Sequence, residues 1–263
     1  MIYDVTAGIG SRLTRTLRYF GGIYLLLLKS IYEFLSKPIY LDLTIQQVYH
    51  IGTRSLPLVL VTSAAIGMVM TLQFGLGLQK FGGTLYVPRI VSVSLVRELS
   101  PVFTGLMIAG RVGAGIASEL GSMSVTQQID AIRALGTSPI KKIVIPRILG
   151  TVIALPLLTV FSNVVGMVGG IFIGATELNL TPEFYINKIL TTVTLTDYIS
   201  GLVKAFCFAF IISLSGCYYG LQVREGTRDV GGATTRTVVM SSILVLVVDF
   251  FLTKIFFIWD KWN

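Results

Sequence analysis

Long apolar runs are the feature that most limits how this chain can fold. An α-helix rises 1.5 Å per residue, so about 20 apolar residues cross the roughly 30 Å hydrocarbon layer of a bilayer. Five stretches qualify, at residues 56–78, 90–117, 143–175, 199–222 and 238–258. With 53% hydrophobic residues, 13% charged residues and a mean hydropathy of +0.79, the composition excludes an ordinary soluble domain. We predict an all-α integral membrane protein with about five transmembrane helices.

The first 45 residues differ from the rest of the chain. Residues 11–36 mix basic positions such as Arg18 and Lys29 with apolar ones, and the apolar run IYLLLL is too short to span a bilayer. This pattern predicts an amphipathic helix that lies at the membrane interface. We expect no cleavable signal peptide, because no uninterrupted apolar core precedes a small-residue cleavage site.

Basic residues are distributed unevenly between the connecting segments, and this bias indicates the orientation. The connections at 118–147 and 223–237 carry four and three Lys or Arg residues, whereas 176–198 carries one against three acidic residues. We therefore expect the connections at 118–147 and 223–237 and the N-terminus to lie in the cytoplasm, and the C-terminus outside. The 79–89 connection, with two basic residues, does not follow this bias. Cytoplasmic loops also account for the net charge of +8, which does not indicate nucleic-acid binding.

No internal repeat or low-complexity linker divides the chain. We predict one domain over residues 1–263, with an N-terminal helix region at 1–45 and a transmembrane bundle at 56–258. The third apolar stretch also carries glycines at every fourth position, Gly166, Gly170 and Gly174. Small residues at this spacing let membrane helices approach closely, so we expect this ridge to pack on a neighbouring helix.

One polar stretch interrupts the apolar runs: ELGSMSVTQQIDAIRALGTSPIKK, residues 119–142. Ser124 followed by Gln127 three residues later is the pattern of a capping box, which predicts that a helix begins there. Gly136 suits the left-handed position after a helix end, and the Ser-Pro pair at 138–139 suits the start of the next helix. Both ends of a short cytoplasmic helix are thus indicated locally.

The apolar residues of this stretch recur at helical spacing and predict an amphipathic helix of about three turns; they are Val125, Ile129, Ile132 and Leu135. The polar residues fall on the other faces. Such a helix could be a connector that packs its apolar stripe on the ends of the spans, or a docking surface for a cytoplasmic partner. The local pattern is compatible with either role.

Four ionisable residues fall inside the apolar stretches: Arg97, Glu98, Lys204 and Asp249. Each would cost about 2.5–3.5 kcal/mol to insert without compensation, so we expect them to face a cavity, water or one another. Arg97 and Glu98 point about 100° apart on a helix and should serve different partners. They could pair with Lys204 or Asp249 on other spans, or Arg97 could bind a phosphate in a lipid cavity. A proton relay through the intramembrane carboxylates is a further alternative.

Catalytic patterns are missing from the sequence. The single histidine, His50, falls at an expected membrane interface and excludes histidine-rich metal sites. No G-x-x-x-x-G-K-[ST] motif is present, and GRVGAG at 110–115 lacks the lysine and lies in a predicted membrane helix. We therefore expect a non-enzymatic chain that binds no cofactor, and any ATP and Mg²⁺ would be bound by a partner.

The chain resembles the MlaE (YrbE) permease family over about residues 10–258. The segments that carry the resemblance are IGMVMTLQ, SLVRELSPVFTGLMIAGRVGAGIASELGSMSVTQQIDAIRALGTSP, ALPLLTV and ATTRTVVMSSILVLVVDF. Members of this family are permease subunits of ATP-driven lipid transporters. The resemblance implies an inner-membrane, multi-pass permease that moves phospholipid to or from a periplasmic partner and so maintains outer-membrane lipid asymmetry.

The resemblance also implies a set of partners. They are a second copy of the chain, a cytoplasmic ATP-binding-cassette ATPase (MlaF-like), a STAS-domain protein (MlaB-like) and a hexameric MCE-domain protein (MlaD-like). In the family, the segment that matches 119–136 contains a coupling helix that sits in a groove of the ATPase. This chain has Gln127 where the family often has Glu, which puts any ion pair of that Glu in doubt.

Two groups of candidate site residues follow from the resemblance. A phospholipid pocket between two permease copies would involve Met70, Gln73, Leu76, Arg97, Glu98 and Leu99. Contact with the ATPase would involve Glu119, Met123, Val125, Gln127, Ile129, Asp130, Ile132 and Arg133.

Two other classes of function stay open at this point. A stand-alone, ion-coupled secondary transporter or channel would use the intramembrane charges as an ion path. A membrane scaffold without transport is the third. A neighbouring gene for an ATPase would favour the ATP-driven lipid transporter, whereas substrate movement driven by a proton gradient alone would favour the secondary transporter or channel.

Overall fold

The described part of the chain contains five helices that are long and apolar enough to cross a membrane. The computed structural model describes residues 2–36, 40–224 and 226–262, and side chains are described at residue 14 and within 17–259. We number the spans in chain order: Leu41–Gln79, Thr84–Val125, Ile140–Thr176, Leu195–Leu221 and Gly226–Trp259, the last helix continuing to Trp262. The predicted all-α membrane architecture is confirmed. Each helix is longer than the apolar run that predicted it, because its polar ends stay helical outside the apolar core.

The N-terminal helix, Ile2–Leu35, packs against the fourth span. Tyr19 is buried there, with its hydroxyl 2.7 Å from Ser215 Oγ and its ring stacked on Tyr219 at 5.3 Å between centroids. Burial raises the pKa of Tyr19 to about 12, since it disfavours the charged phenolate relative to the neutral, hydrogen-bonded phenol. The predicted helix is confirmed, and its position at the membrane interface stays a prediction.

The third span is the centre of the bundle, and the first span packs along it. Small residues permit this close approach: a Cβ atom at Gly67 would overlap the carbonyl oxygen of Gly166, and one at Gly169 would crowd the backbone of Ala64. Ser63 and Ser162 join the same two helices through a hydrogen bond of 2.7 Å between their hydroxyls. The predicted packing of the glycine ridge is confirmed.

A helix missed in the sequence, Pro182–Thr192, crosses between the third and fourth spans. It begins after Thr181, whose hydroxyl accepts a hydrogen bond from the N–H of Phe184 at 3.4 Å. Tyr185 anchors it: the ring covers Gly170 and Gly174, and the buried hydroxyl lies 3.1 Å from Thr71 Oγ1. Burial raises the pKa of the Tyr185 phenol.

Three segments of the spans are π-helical. Two lie in the second span, at Leu95–Leu99 and Ala109–Gly113, and one opens the third span at Ile140–Val144. Such wider turns occur often at functional sites. All three contain basic residues, and the first contains both Arg97 and Glu98. The irregular geometry therefore coincides with several charged positions of these helices, among them Arg97, Glu98 and Arg111.

Candidate functional site

An ion pair holds Arg97 between two spans. Its Nε lies 2.5 Å from Oδ1 of Asp197, in the first turn of the fourth span. The other oxygen of Asp197 accepts hydrogen bonds from the N–H and the hydroxyl of Thr194, both at 2.8 Å. Because the Thr194 hydroxyl also accepts from the N–H of Asp197, this carboxylate closes a capping box while it pairs with Arg97.

Lys204 is the centre of a second polar cluster. Its side chain is 2% exposed, pairs with Glu98, and places Nζ 3.0 Å from Oδ1 of Asp249. Nζ also donates to the hydroxyl of Thr253 at 2.7 Å, and this hydroxyl lies 3.2 Å from Oε1 of Glu98. One ammonium group thus lies between two carboxylates that come from different spans, which offsets part of the cost of placing these charges inside the spans.

Both charged residues of the first π-helical segment pair within the chain, yet neither is enclosed. Arg97 and Glu98 have different partners, as their angular separation predicted, and the expected pairing with Lys204 is observed for Glu98. Their side chains are nevertheless 34% and 38% exposed, although both lie inside a span. Lipid tails do not solvate charge, so the exposed parts need water, a headgroup or another chain.

The other residues predicted for a lipid pocket divide into two groups. Met70 and Leu99 come together, because both pack on a buried cluster formed by Val87, Val91 and Leu95. Gln73 and Leu76 are exposed on the first span. Gln73 lies midway between the buried positions Thr71 and Gly75, so it faces away from the third span. The exposed members of the predicted set are therefore Gln73 and Leu76, with Arg97 and Glu98 partly exposed.

The predicted capping box at Ser124 and Gln127 is wrong. The second span continues through Ser124 and ends at Val125, and a separate short helix, Gln128–Ala134, follows; we call it the connecting helix. Gln127 takes the left-handed conformation, with φ at 58°, and its side chain makes no cap hydrogen bond. The Ser124 hydroxyl donates instead to the carbonyl oxygen of Val223 at 2.7 Å, which fastens the turn to the connection between the last two spans.

The connecting helix is anchored on one side and exposed on the other. Ile129 is 5% exposed, and Ile132 packs partly on the core, whereas Leu135 at the C-terminal end is 82% exposed. Asp130 and Arg133 form an ion pair of 3.0 Å on the outer surface. The apolar stripe therefore packs on the chain itself at Ile129 and Ile132, whereas its last member, Leu135, does not. The exposed residues left for a partner are Thr126, Gln127, Gln128, Asp130, Ala131, Arg133, Ala134 and Leu135.

The remaining residues predicted for ATPase contact belong to the end of the second span. Met123 and Val125 are half-buried, and Met123 packs on the core. Glu119 is exposed and accepts a hydrogen bond from Arg147 of the third span at 2.9 Å. The end of the helix holds left-handed Gly136 at φ 74°, as predicted.

Sequence reasoning missed two residues of the site, Asp197 and Thr253. Its charge alone identifies Asp197 only as an acidic loop residue, although the spacing T-x-x-D from Thr194 is a capping-box pattern that predicts a helix start. Thr253 lies four residues after Asp249, on the same helix face, which is the available signal for their shared cluster.

The family described as Permease MlaE matches residues 44–255. A probable ABC transporter permease protein of Rickettsia conorii is 39% identical over 257 residues, which cover 98% of this chain and 99% of the relative. A probable ABC transporter permease protein of Synechocystis is 37% identical over 214 residues, or 81% of each chain.

A plant protein is also similar. Protein TRIGALACTOSYLDIACYLGLYCEROL 1, chloroplastic, of Arabidopsis thaliana is 34% identical over 214 residues, which cover 81% of this chain and 61% of the plant protein. The matched region of the family includes the second span with its two π-helical segments, the connecting helix and both polar clusters.

Proposed function

The chain belongs to the MlaE permease family of ABC transporters, and from this premise we propose that it is the permease subunit of an ATP-driven phospholipid transporter. Its role would be to move phospholipid between the inner membrane and a periplasmic MCE-domain partner, in support of outer-membrane lipid asymmetry. The name of the Arabidopsis relative, which is that of a galactolipid, supports a lipid as the substrate class.

One observation carries the proposal: Arg97 and Glu98 are fixed by interhelical ion pairs and still expose about a third of their side chains inside a span. A lipid phosphate suits the exposed guanidinium of Arg97, because guanidinium groups bind phosphate in a bidentate manner. An ammonium-containing headgroup suits the exposed carboxylate of Glu98. Gln73 and Leu76 then supply polar and apolar surface on the first span.

A second copy of the chain would close this cavity. Within one chain, only 28% of the most apolar 18-residue stretch of the first span is buried. In the fifth span, only 11% of the corresponding stretch is buried. Such surfaces are available for helix packing in the membrane, and the polar exposed groups on the second span favour a protein partner or water over lipid tails. We propose a homodimer with the phospholipid bound between the copies.

The connecting helix is proposed to couple this bundle to a cytoplasmic ATPase. Buried Ile129 anchors the helix on the chain, and the hydrogen bond from Ser124, at the end of the second span, to Val223 ties the start of this segment to the connection between the last two spans. A push on its exposed face at Leu135 is therefore transmitted to the bundle and not absorbed by a loose loop. ATP and Mg²⁺ would be bound by the ATPase, beside which a STAS-domain protein would sit.

Charge distribution supports the proposed orientation. The connections on the side of the connecting helix carry most of the basic residues, which favours a cytoplasmic position for them, with the N-terminus inside and the C-terminus in the periplasm. This arrangement corresponds to a multi-pass protein of the bacterial inner membrane.

One observation favours a second candidate function. Lys204 faces two carboxylates, Glu98 and Asp249, so the cluster carries one excess negative charge when all three are ionised. An intramembrane carboxylate without a full counter-charge can take up a proton, as in ion-coupled transporters. The alternative is thus a stand-alone secondary transporter or channel.

Co-purification distinguishes the two candidates. The tagged full-length chain is extracted from its native membrane in a mild detergent, and proteins and lipids are identified by mass spectrometry. We expect stoichiometric ATPase and phospholipid, with lipid content reduced in Arg97→Ala and Glu98→Ala. Recovery of the chain without an ATPase, with lipid content unchanged in both variants, would support the secondary transporter.

A further inference from the structure

A polar crevice lies between the first and second spans, on the side of the bundle where the connecting helix begins. Its volume is about 250 Å³. The polar side chains that line it are Gln47, His50, Arg54, Ser55, Arg111 and Glu119. None of these residues except Glu119 belongs to the sites described above, so the crevice needs its own explanation.

Two arginines in the crevice lack counter-charges. Arg97, which lies on the same helix as Arg111, pairs with a carboxylate, whereas neither Arg54 nor Arg111 pairs with any carboxylate in the part of the chain that the structure describes. The crevice does contain one carboxylate, Glu119, but it pairs with Arg147 of the third span at 2.9 Å. An excess of positive charge therefore remains at the edge of the membrane-spanning region, where an anion compensates it most directly.

A buried hydroxyl points to the same conclusion. Ser55 is 1% exposed, and its Oγ has no hydrogen-bond partner among the described residues. On the same helix, Thr53, Thr62 and Ser63 each donate to the carbonyl oxygen four residues earlier. Ser55 does not use this local acceptor, so its hydroxyl is free to serve a ligand in the crevice.

The backbone presents Arg111 from an unusual position. It lies in the second π-helical segment, Ala109–Gly113, as Arg97 lies in the first. The two arginines are about 21 Å apart along the helix axis at 1.5 Å per residue, roughly two-thirds of the hydrocarbon thickness. The second span thus contains a π-helical segment with an arginine near each side of the bilayer.

We propose that this crevice binds the phosphate of a phospholipid headgroup and is a second lipid-binding site, separate from the one at Arg97; this inference rests on the proposed function. Arg54 and Arg111 provide guanidinium donors of the geometry that phosphate favours, and Ser55 adds a hydroxyl donor. The apolar run 56–78 begins directly after Arg54 and Ser55, so the acyl chains lie along it. A lipid in transit is therefore held by its phosphate at two levels of the bundle.

Photocrosslinking in membranes that contain the full-length permease and its ATPase tests this site. The crosslinker is introduced as Gly115→p-benzoylphenylalanine, because Gly115 lines the crevice and has open space around its Cβ position. Gly110, on the same helix outside the crevice and equally open, is the control position. Leu76→p-benzoylphenylalanine monitors the proposed lipid-binding site at Arg97 in parallel.

We expect radiolabelled phospholipid to crosslink at position 115, and the yield to fall about tenfold in Arg54→Gln/Arg111→Gln, as loss of charge-assisted hydrogen bonds predicts. Yields at positions 76 and 110 should be unchanged in that variant. Millimolar inorganic phosphate should not compete, since the acyl chains contribute to binding; competition would assign the crevice to free phosphate and overturn the proposal.

Other outcomes also separate this inference from the proposed function. Two results would overturn the second lipid-binding site and leave the proposed function standing. One is crosslinking to lipid at position 76 but not at 115, and the other is crosslinking at 115 only to a second copy of the chain. Loss of lipid crosslinking at both positions would count against the proposed function itself. An equal yield with diacylglycerol, which has the same acyl chains and no phosphate, would refute the phosphate assignment.

Discussion

The Nε atom of Arg97 lies 2.5 Å from the Oδ1 atom of Asp197, and this contact joins the second span to the first turn of the fourth. Asp197 also caps the helix that it begins, through hydrogen bonds from Thr194. A single carboxylate therefore fixes both the start of a span and the direction of the arginine proposed to meet a lipid phosphate.

Removal of the charge at Asp197 should destabilise the permease. Asp197→Asn keeps an oxygen for the cap but leaves Arg97 without its counter-ion, and because Arg97 is one-third exposed we expect a loss of about 1–3 kcal/mol, below the range for fully buried pairs. Thermal unfolding of the detergent-solubilised protein measures the loss. Asp130→Asn breaks an ion pair whose side chains are both about two-thirds exposed, and it should cost less than about 1 kcal/mol. Equal losses in the two variants would contradict this assignment.

Lys204 should behave as a shared counter-ion. Lys204→Met leaves Glu98 and Asp249 facing one another without a cation, and we expect a loss of about 3 kcal/mol or more in unfolding free energy. Neutralisation of the whole cluster in Glu98→Gln/Lys204→Met/Asp249→Asn should recover most of that loss. If the triple variant is no more stable than the single one, packing of the Lys204 side chain and not charge balance determines its contribution.

The faces of the connecting helix should separate docking from folding. Leu135→Ser changes an exposed residue and should reduce ATPase co-purification without a change in the melting temperature of the permease. Ile129→Asp places a charge at a buried position and should lower that melting temperature by itself. Leu190→Ser, on the exposed face of the helix Pro182–Thr192, is the matched control and should leave ATPase binding intact. Normal ATPase recovery with Leu135→Ser would exclude Leu135 from the docking surface.

Two glycines of the first span should respond in opposite directions to the same substitution. Gly67→Ala forces a Cβ against the backbone of Gly166 and should cost about 1–3 kcal/mol. Gly77→Ala meets no atom within 4 Å and should be neutral or stabilise the helix by up to about 1 kcal/mol. Unfolding of both variants under identical detergent conditions checks the difference, and a Gly67→Ala protein as stable as Gly77→Ala would rule out close contact of the first and third spans.

The sequence predicted the spans well because the physics that determines them is local. Bilayer thickness sets a length, and hydropathy over that length is readable without knowledge of neighbours. The glycine ridge that includes Gly166 could be predicted for the same reason, because close approach of two helices requires small residues at a fixed spacing in the sequence. Gly136 likewise needed only its position after a helix end to be assigned a left-handed conformation.

The sequence failed where tertiary contacts decide between local alternatives. Ser124 and Gln127 fit a capping box, but Ser124 finds an acceptor at Val223, 99 residues away in the chain, and the second span continues past it. The exposed position of Leu135 and the burial of Ile129 follow from the side on which the connecting helix packs, which spacing alone does not reveal. Asp197 became a partner of Arg97 only once the fourth span was placed beside the second.

The central claim is that this permease moves phospholipid with energy from a partner ATPase. Its most direct test is transport of a fluorescent phospholipid in proteoliposomes that contain the full-length chain with its co-purified partners. We predict movement that requires ATP, stops in an ATPase variant unable to hydrolyse ATP, and is unaffected by collapse of the proton gradient. Movement of the lipid by the chain alone, driven by a proton gradient without ATP, would contradict the account.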